Sequence, residues 1–271
     1  RFMAEGEPAA ALLALAEAGG HLTAEDLRGY RPEWRAPLEA DRGGARLALN
    51  PAPSLGGVLI AFALELLPER PAAADLARVF AATARARLAA GPEGAATLLS
   101  PASLARWRAL AGREASVRGT THVSAVDGAG MAAALTLSNG EGCGRVARGT
   151  GIMPNNMLGE ADLLPEGLDR WRPDRRLASM MAPTVAAWPD GTVAALGSGG
   201  SNRIRSAMAG VLARLTDGGE ALDAAVAAPR LHAEAGPEPG APPAVDFEDR
   251  FPEAERAALL AAFPEARGWA E

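Results

Sequence analysis

The 271-residue chain has no lysine, one cysteine, three histidines and no apolar run of about 18 residues or more. The lone Cys143 excludes an internal disulfide. His21, His122 and His232 are too scattered to suggest a zinc site from spacing, so no metal is expected. Without a long apolar run, no membrane-spanning helix is expected either. All 27 basic residues are arginine, mixed with 33 acidic ones to a net charge of −6. There is no basic stripe, which argues against a nucleic-acid partner. Missing lysine alongside abundant Ala, Gly and Pro reads as coding bias, so individual arginines carry little weight. No initiator methionine or leader precedes Arg1-Phe2, and Trp269-Ala270-Glu271 carries no ending signal, so both ends read as cut. No internal repeat is visible. The glycine cluster from Gly197 to Ser201 is not a phosphate-binding loop, and nothing calls for a cofactor.

What is present is a change of period near the middle. "EPAAALLALAEAGG" (7–20) predicts a helix with a Gly-Gly stop. Thr23, with Asp26 three residues on, opens a short helix reaching Tyr30 through a capping-box pattern. "GARLALNPAPSLGG" (44–57) reads as a strand running into a Pro/Gly loop, and "VLIAFALELL" after it as an apolar helix. Positions 74–111 are helical by pattern, broken near Gly91-Pro92 and Pro101. From Thr120, "THVSAVD" and "MAAALTLSN" alternate like strands around Gly128-Ala129-Gly130, and "APTVAAW" and "TVAALGS" do the same around Pro189-Asp190-Gly191. A helix over about 203–215, another in "EALDAAVAAPR", a loop over 235–243 and a closing helix in "PEAERAALLAAF" complete the reading. Helices before Thr120 and antiparallel hairpins after it predict an α+β fold.

The run Gly119-Thr120-Thr121-His122 opens the first hairpin. A hydroxyl needs a base within hydrogen-bond reach to act as a nucleophile. His122 shares a strand face with Thr120 but lies two residues away, and no Asp is placed to orient it. The alternative base is Thr120's own α-amine, which exists once the Gly119–Thr120 bond is cut and has a reference pKa of about 7.7–8.0. Thr120 Oγ could itself attack the Gly119 carbonyl, so the cut would be autocatalytic. Thr121 and Ser124 read as ordinary strand residues, Asp127 as a cap on the glycine turn, and His122 as a packed strand histidine. Met180-Met181 and the tryptophans read as packing, and Arg203 as either orienting the glycine cluster or facing solvent.

"GGHLTAEDLRGYRPEWRAPL", "NPAPSLGGV", "GTTHVSAVDGAG", "GTGIMPNNMLGE", "RLASMMAPTV" and "GSGGSNRIR" follow one another in the order of the γ-glutamyltransferase motifs, and nearly the whole chain resembles that family. The resemblance implies an N-terminal-nucleophile hydrolase fold, an αββα sandwich. It implies self-cleavage before Thr120, with 1–119 ending a large subunit and 120–271 forming the small one. The implied activity transfers a γ-glutamyl group from a glutathione-like donor to water or to an amino acid or peptide amine. Carried over by residue, Thr120 is the nucleophile, and Ser138 or Thr136 supplies the hydroxyl that bonds it. Asn139 and Glu160 hold the donor's α-amino end, Ser179 holds its carboxylate, and the oxyanion donors are Gly199 and Gly200 or Gly200 and Ser201. A periplasmic or secreted home is also implied.

Several positions depart from the family pattern. Met157 stands where a Gln is common, Glu160 where an Asp is, and Ala178 in place of the first of two serines. "NGEGCG" is shorter than its counterpart and lacks an aromatic, and the family's carboxylate-clamping arginine lies in a region upstream of Arg1. Two other readings follow: an amidase or acylase with another acyl specificity, and an inactive, unprocessed paralogue acting as a structural or binding protein.

Overall fold

The computed structural model describes residues 2–91, 94, 97–107, 120–160, 163–164, 174–236 and 241–270. They form two compact units, Arg1–Ala36 with Ser138–Pro173, and Pro37–Leu137 with Asp174–Glu271. Each unit therefore draws on residues from both sides of Thr120.

The smaller unit begins with α1 (Phe2–Glu5), α2 (Glu7–Ala16) and α3 (Ala24–Gly29). Thr23 caps α3 as its sequence predicts: Asp26 N donates to Thr23 Oγ1 (3.2 Å), and Thr23 N donates to Asp26 Oδ2 (2.7 Å). From Ser138 to Glu160 the unit is a glycine-rich segment folded back on itself. Cys143 N donates to Pro154 O (2.9 Å), Ala147 N to Ile152 O (2.8 Å) and Asn156 N to Asn139 O (3.2 Å). A single 3₁₀ turn, Met157–Gly159, leads to Glu160.

The larger unit is built on an antiparallel sheet in the order β1 (Leu38–Arg42), β2 (Ala45–Leu49), β5 (Thr184–Ala187), β6 (Val193–Leu196). β3 (Thr121–Val126) and β4 (Ala132–Leu137) form a hairpin beside β5 and β6. α4 (Leu55–Leu66) is buried from Leu55 to Leu64, as expected of a helix apolar on every side. It packs on β1 and β2, on α5 (Ala73–Ala90) and on α7 (Arg203–Thr216). Leu47, Leu59, Ile60, Phe62 and Leu212 lie fully inside this core.

The expected hairpins and the helices at α2, α4, α5 and α7 are all present. So are α6 (Pro101–Trp107), with 108–111 of the expected helical stretch outside the described residues, α8 (Leu222–Ala227) and the closing α9 (Glu253–Ala262). The structure adds strands that the sequence reading omits. β1 carries Glu39 and Asp41 on its exposed side and lacks β-branched residues. A third sheet joins β7 (Leu231–Glu234) antiparallel to β8 (Ala244–Glu248), and β8 parallel to β9 (Arg267–Trp269). β7 alternates Leu231, His232, Ala233, Glu234 like a half-buried strand, yet it is buried along its whole length, polar residues included.

Candidate active site

The β3–β4 hairpin sets Thr120 at its mouth. The register runs Thr121↔Leu137, His122↔Thr136, Val123↔Leu135 through Val126↔Ala132, so His122 and Thr136 face the same side. Asp127 closes the far end, as its turn composition predicts: its Oδ1 accepts from Ala129 N and from Met131 N, both at 2.9 Å. Thr121 and Ser124 are exposed strand residues.

Both nitrogens of His122 meet hydroxyls, Nδ1 at 2.7 Å from Thr136 Oγ1 and Nε2 at 2.9 Å from Ser124 Oγ. Partial burial lowers its pKa below 6.5, so the ring is neutral at neutral pH. The ring lies against Gly197, where any Cβ would collide with it. Two residues on, a Cβ at Gly199 would collide with the Thr120 carbonyl oxygen. The glycine turn thus runs alongside both residues of the hairpin mouth. It continues through Gly200 (φ 118°) and Ser201 (φ 53°) into the first turn of α7, where Arg203 N donates to Gly200 O (3.1 Å) and Ile204 N to Ser201 O (3.1 Å).

Ser179 is fixed at the start of α4. Its carbonyl accepts from Leu55 N (2.9 Å), Gly56 N (3.1 Å) and Ser54 Oγ (3.1 Å), and its Oγ accepts from Met181 N (3.2 Å). Gly56 permits this approach, since a Cβ there would strike the carbonyls of Met180 and Met181.

The remaining candidates belong to the smaller unit. Ser138 Oγ accepts from Gly140 N (3.1 Å), and Asn139 Nδ2 donates to Met153 O (3.1 Å). The buried Glu160 carboxylate and the Asn156 side-chain oxygen close on Gly140, whose φ of 61° and lack of Cβ make room for both. Asn156 Oδ1 also accepts from Glu141 N (2.8 Å). Asn139 and Glu160 thus meet around one glycine. Asn156 lies in the same loop, its backbone N donating to Asn139 O (3.2 Å).

Gly119 lies outside the described residues. Among those residues no three His, Cys, Asp or Glu side chains group as a metal site requires, and no helix is long and apolar enough to cross a membrane. The sequence reading missed Asn202, Arg205, His232 and Glu234, a buried polar cluster behind the glycine turn. Its partners are up to 32 positions apart in sequence, and one of its members is an arginine among many.

Against known proteins, residues 2–88 and 93–264 match the gamma-glutamyltranspeptidase family model. The chain is 28% identical to the Acylase ACY 1 proenzyme of Pseudomonas sp. (strain V22), over 91% of this chain and 48% of that protein. It is 30% identical to the glutathione hydrolase proenzyme of Pseudomonas aeruginosa, over 79% of this chain and 46% of that protein. The chain therefore spans about half the length of the curated relatives it matches. Among solved structures it is similar to a cephalosporin acylase from Bacillus halodurans, with a TM-score of 0.76 at 23% identity over 100% of this chain and 53% of that one. The fold is the αββα type of the N-terminal-nucleophile hydrolases. With that fold and a family match over nearly its whole length, the chain belongs to the gamma-glutamyltranspeptidase family.

Proposed function

We propose that the protein is an N-terminal-threonine enzyme that is cut between Gly119 and Thr120 and moves an acyl group through an ester on Thr120. The observation that carries this reading is the packing of Gly199 against the Thr120 carbonyl, which sets a glycine turn beside the hydroxyl-bearing residue just before β3. Cleavage exposes the Thr120 amine, with a reference pKa of about 7.7–8.0, as the base for its own hydroxyl. Thr120 Oγ attacks the donor's amide carbonyl and passes its proton to that amine. The tetrahedral oxyanion is received by backbone N–H groups of Gly199 and Gly200, or of Gly200 and Ser201. Removing one such donor typically costs about 10²–10³ in rate. Collapse breaks the C–N bond, and the departing amine takes the proton. Water or an acceptor amine then attacks the ester and releases Thr120.

Thr136 is the better supported hydroxyl partner for Thr120, because His122 holds it on the Thr120 side of the hairpin. Ser138, the other candidate, has its Oγ accepting from Gly140 N. The donor is a γ-glutamyl compound of the glutathione type, with its α-amino end held by Asn139 and Glu160 and its carboxylate by Ser179. The acceptor is water, an amino acid or a peptide amine, and the mature enzyme is two chains from one precursor.

A second reading, an acylase of other acyl specificity, is favoured by Ala178 and Met157, which stand where the family pattern has a serine and a glutamine. Intact-mass measurement of the purified protein tests the shared core, since an active enzyme yields two chains that meet at Gly119–Thr120. Thr120→Ala abolishes both cleavage and turnover under this reading, and a cleaved or active variant overturns it. γ-Glutamyl-p-nitroanilide assayed against other acyl anilides separates the two specificities.

A further inference from the structure

Among the described residues, Arg205 is the largest fully buried side chain, with 1% of its surface exposed. A guanidinium so placed is costly unless its donors are used. Nη1 donates to Asn202 O (3.1 Å) and to Glu234 Oε1 (3.3 Å), and Nη2 donates to Ala233 O (2.9 Å) and meets Glu234 Oε2 at 2.9 Å. Asn202 is itself buried, and its side-chain oxygen accepts from Arg87 Nη1 (3.0 Å) of α5. Two buried arginines from different helices thus hold the two oxygens of one residue. That residue directly follows the turn Gly199-Gly200-Ser201.

The turn needs such a hold. Ser201 has a φ of 53°, sparsely populated for a residue with a side chain, so neighbouring structure must impose it. Gly199, two residues earlier, already abuts Thr120. Only Gly200 and Ser201 lie between the Thr120 contact and the arginine-held Asn202. Glu234 is fixed in turn, because its Oε1 also accepts from His232 Nε2 (2.8 Å). The other ring nitrogen of His232 bonds Ser206 Oγ, which lies 3.2 Å from Arg203 O. The chain of contacts therefore runs from β7 through Arg205 into the turn at the head of α7.

We infer that Arg205, clamped by Glu234, is a positioning residue that fixes the shape of the Gly199–Ser201 turn from behind and so aims its N–H groups at the reacting carbonyl. The inference rests on the reading of Thr120 as nucleophile and of this turn as the oxyanion site. The ion pair joins helix to strand in the core, so a purely structural role would affect melting and leave the turn and turnover unchanged.

The test is the double variant Arg205→Met with Glu234→Gln, which removes both charges together and leaves an amide oxygen for His232 Nε2. Replacing a buried ion pair by neutral groups of similar size is often tolerated by the fold. Hydrogen exchange read on the peptide covering 197–202 should be at least about tenfold faster than in the unmodified protein, with peptides from α4 unchanged. Turnover of γ-glutamyl-p-nitroanilide, or of whichever anilide the unmodified enzyme takes, should lose at least about tenfold in kcat with KM within about twofold. Unchanged exchange at 197–202 overturns the inference, and so does faster exchange with unchanged kcat. If the double variant does not fold, Arg205→Lys decides in the same way: a single ammonium cannot serve the Asn202 carbonyl and Glu234 with the fork geometry, so kcat should fall with KM held. An unmodified protein that neither cleaves nor turns over refutes the Thr120 reading, while the exchange measurement still decides the role of Arg205.

Discussion

Gly199 and Thr120 meet where no side chain fits: a Cβ on Gly199 would strike the Thr120 carbonyl oxygen and lie 3.5 Å from the Thr120 Cβ. The glycine at this position is there for space, since it is the next residue, Gly200, that needs a left-handed backbone (φ 118°). The two neighbouring glycines therefore serve different purposes, and substitutions at each should fail differently.

Gly199→Ala must push either the turn or Thr120, just before β3, aside. Turnover should fall at least about 100-fold, the scale of losing one oxyanion donor. The melting temperature should move by only a few degrees, because Gly199 is exposed and the core beneath it is untouched. Steady-state rates with a chromogenic anilide, set beside a thermal melt, check both halves. A variant with unimpaired kcat would show that the turn tolerates displacement.

His122 bridges Thr136 and Ser124 with both ring nitrogens, and its ring occupies the space above Gly197. As the neutral form it can donate from one nitrogen and accept at the other; once protonated it can only donate. Its folded pKa lies below 6.5 through burial, so the accepting form persists at neutral pH and is lost only as pH falls through that lowered value. kcat should decline on that acid limb, and His122→Ala should cost about tenfold in kcat and flatten the limb. A pH–rate profile of both proteins measures this. An unchanged limb in the variant would assign it to another group.

The elements around these residues were legible in the sequence to very different degrees. The α3 cap, both hairpins and the apolar α4 rest on local signals: Thr23 with Asp26 three positions on, Asp-Gly turns, and an unbroken run of apolar residues. The motif run from Thr120 to Arg205 supplied the candidate site because each motif is a short local stretch that can be read by itself. The third sheet and the cluster behind the turn were not legible, for one shared reason. β7 reads Leu-His-Ala-Glu, only four residues of alternation with no Val, Ile, Thr, Tyr, Phe or Trp, and it is buried because His232 and Glu234 find Ser206 and Arg205 on α7. A buried charge becomes plausible only once its partner is known, and here the partner is 29 residues away. Discounting the arginines as compositional bias was reasonable on counts and failed at Arg205, where burial gives one of them a specific role.

The same cluster makes stability depend on pH. Burial lowers the His232 pKa below 6.5, with Arg205 and Arg203 acting in the same direction against the raising effect of the Glu234 hydrogen bond and charge. Burial alone would raise Glu234, but the Arg205 charge and the His232 hydrogen bond and charge overcome it and hold the carboxyl down to about 2, against an ordinary 4.5. Both groups therefore bind protons more readily in the unfolded chain than in the folded one, and stability must fall as pH falls. The His232 contribution is intact above 6.5 and declines below it; the Glu234 contribution is intact above 4.5 and is lost toward 2. Urea midpoints should be flat at mildly alkaline pH and drop in two stages on acidification, with the first stage smaller in His232→Asn, since His122 contributes to it as well. A midpoint that rises on acidification would contradict the arrangement.

The smaller unit yields a prediction of another kind. Gly140 has a φ of 61°, and a Cβ on it would strike the Glu160 carboxylate and the Asn156 side-chain oxygen together. Gly140→Ala therefore combines backbone strain, costing about 1 kcal/mol or more, with displacement of the two side chains grouped there. If Asn139 and Glu160 hold the donor's ammonium group, they bind it equally before and during the reaction, because that group takes no part in bond breaking. Loss of such uniform binding raises KM and leaves kcat alone. The expected outcome is a KM at least about tenfold higher for a γ-glutamyl anilide with kcat within about threefold. An anilide lacking the α-amino group should show no change in KM. Should KM for both substrates rise alike, the carboxylate at 160 is supporting the loop and not gripping an ammonium.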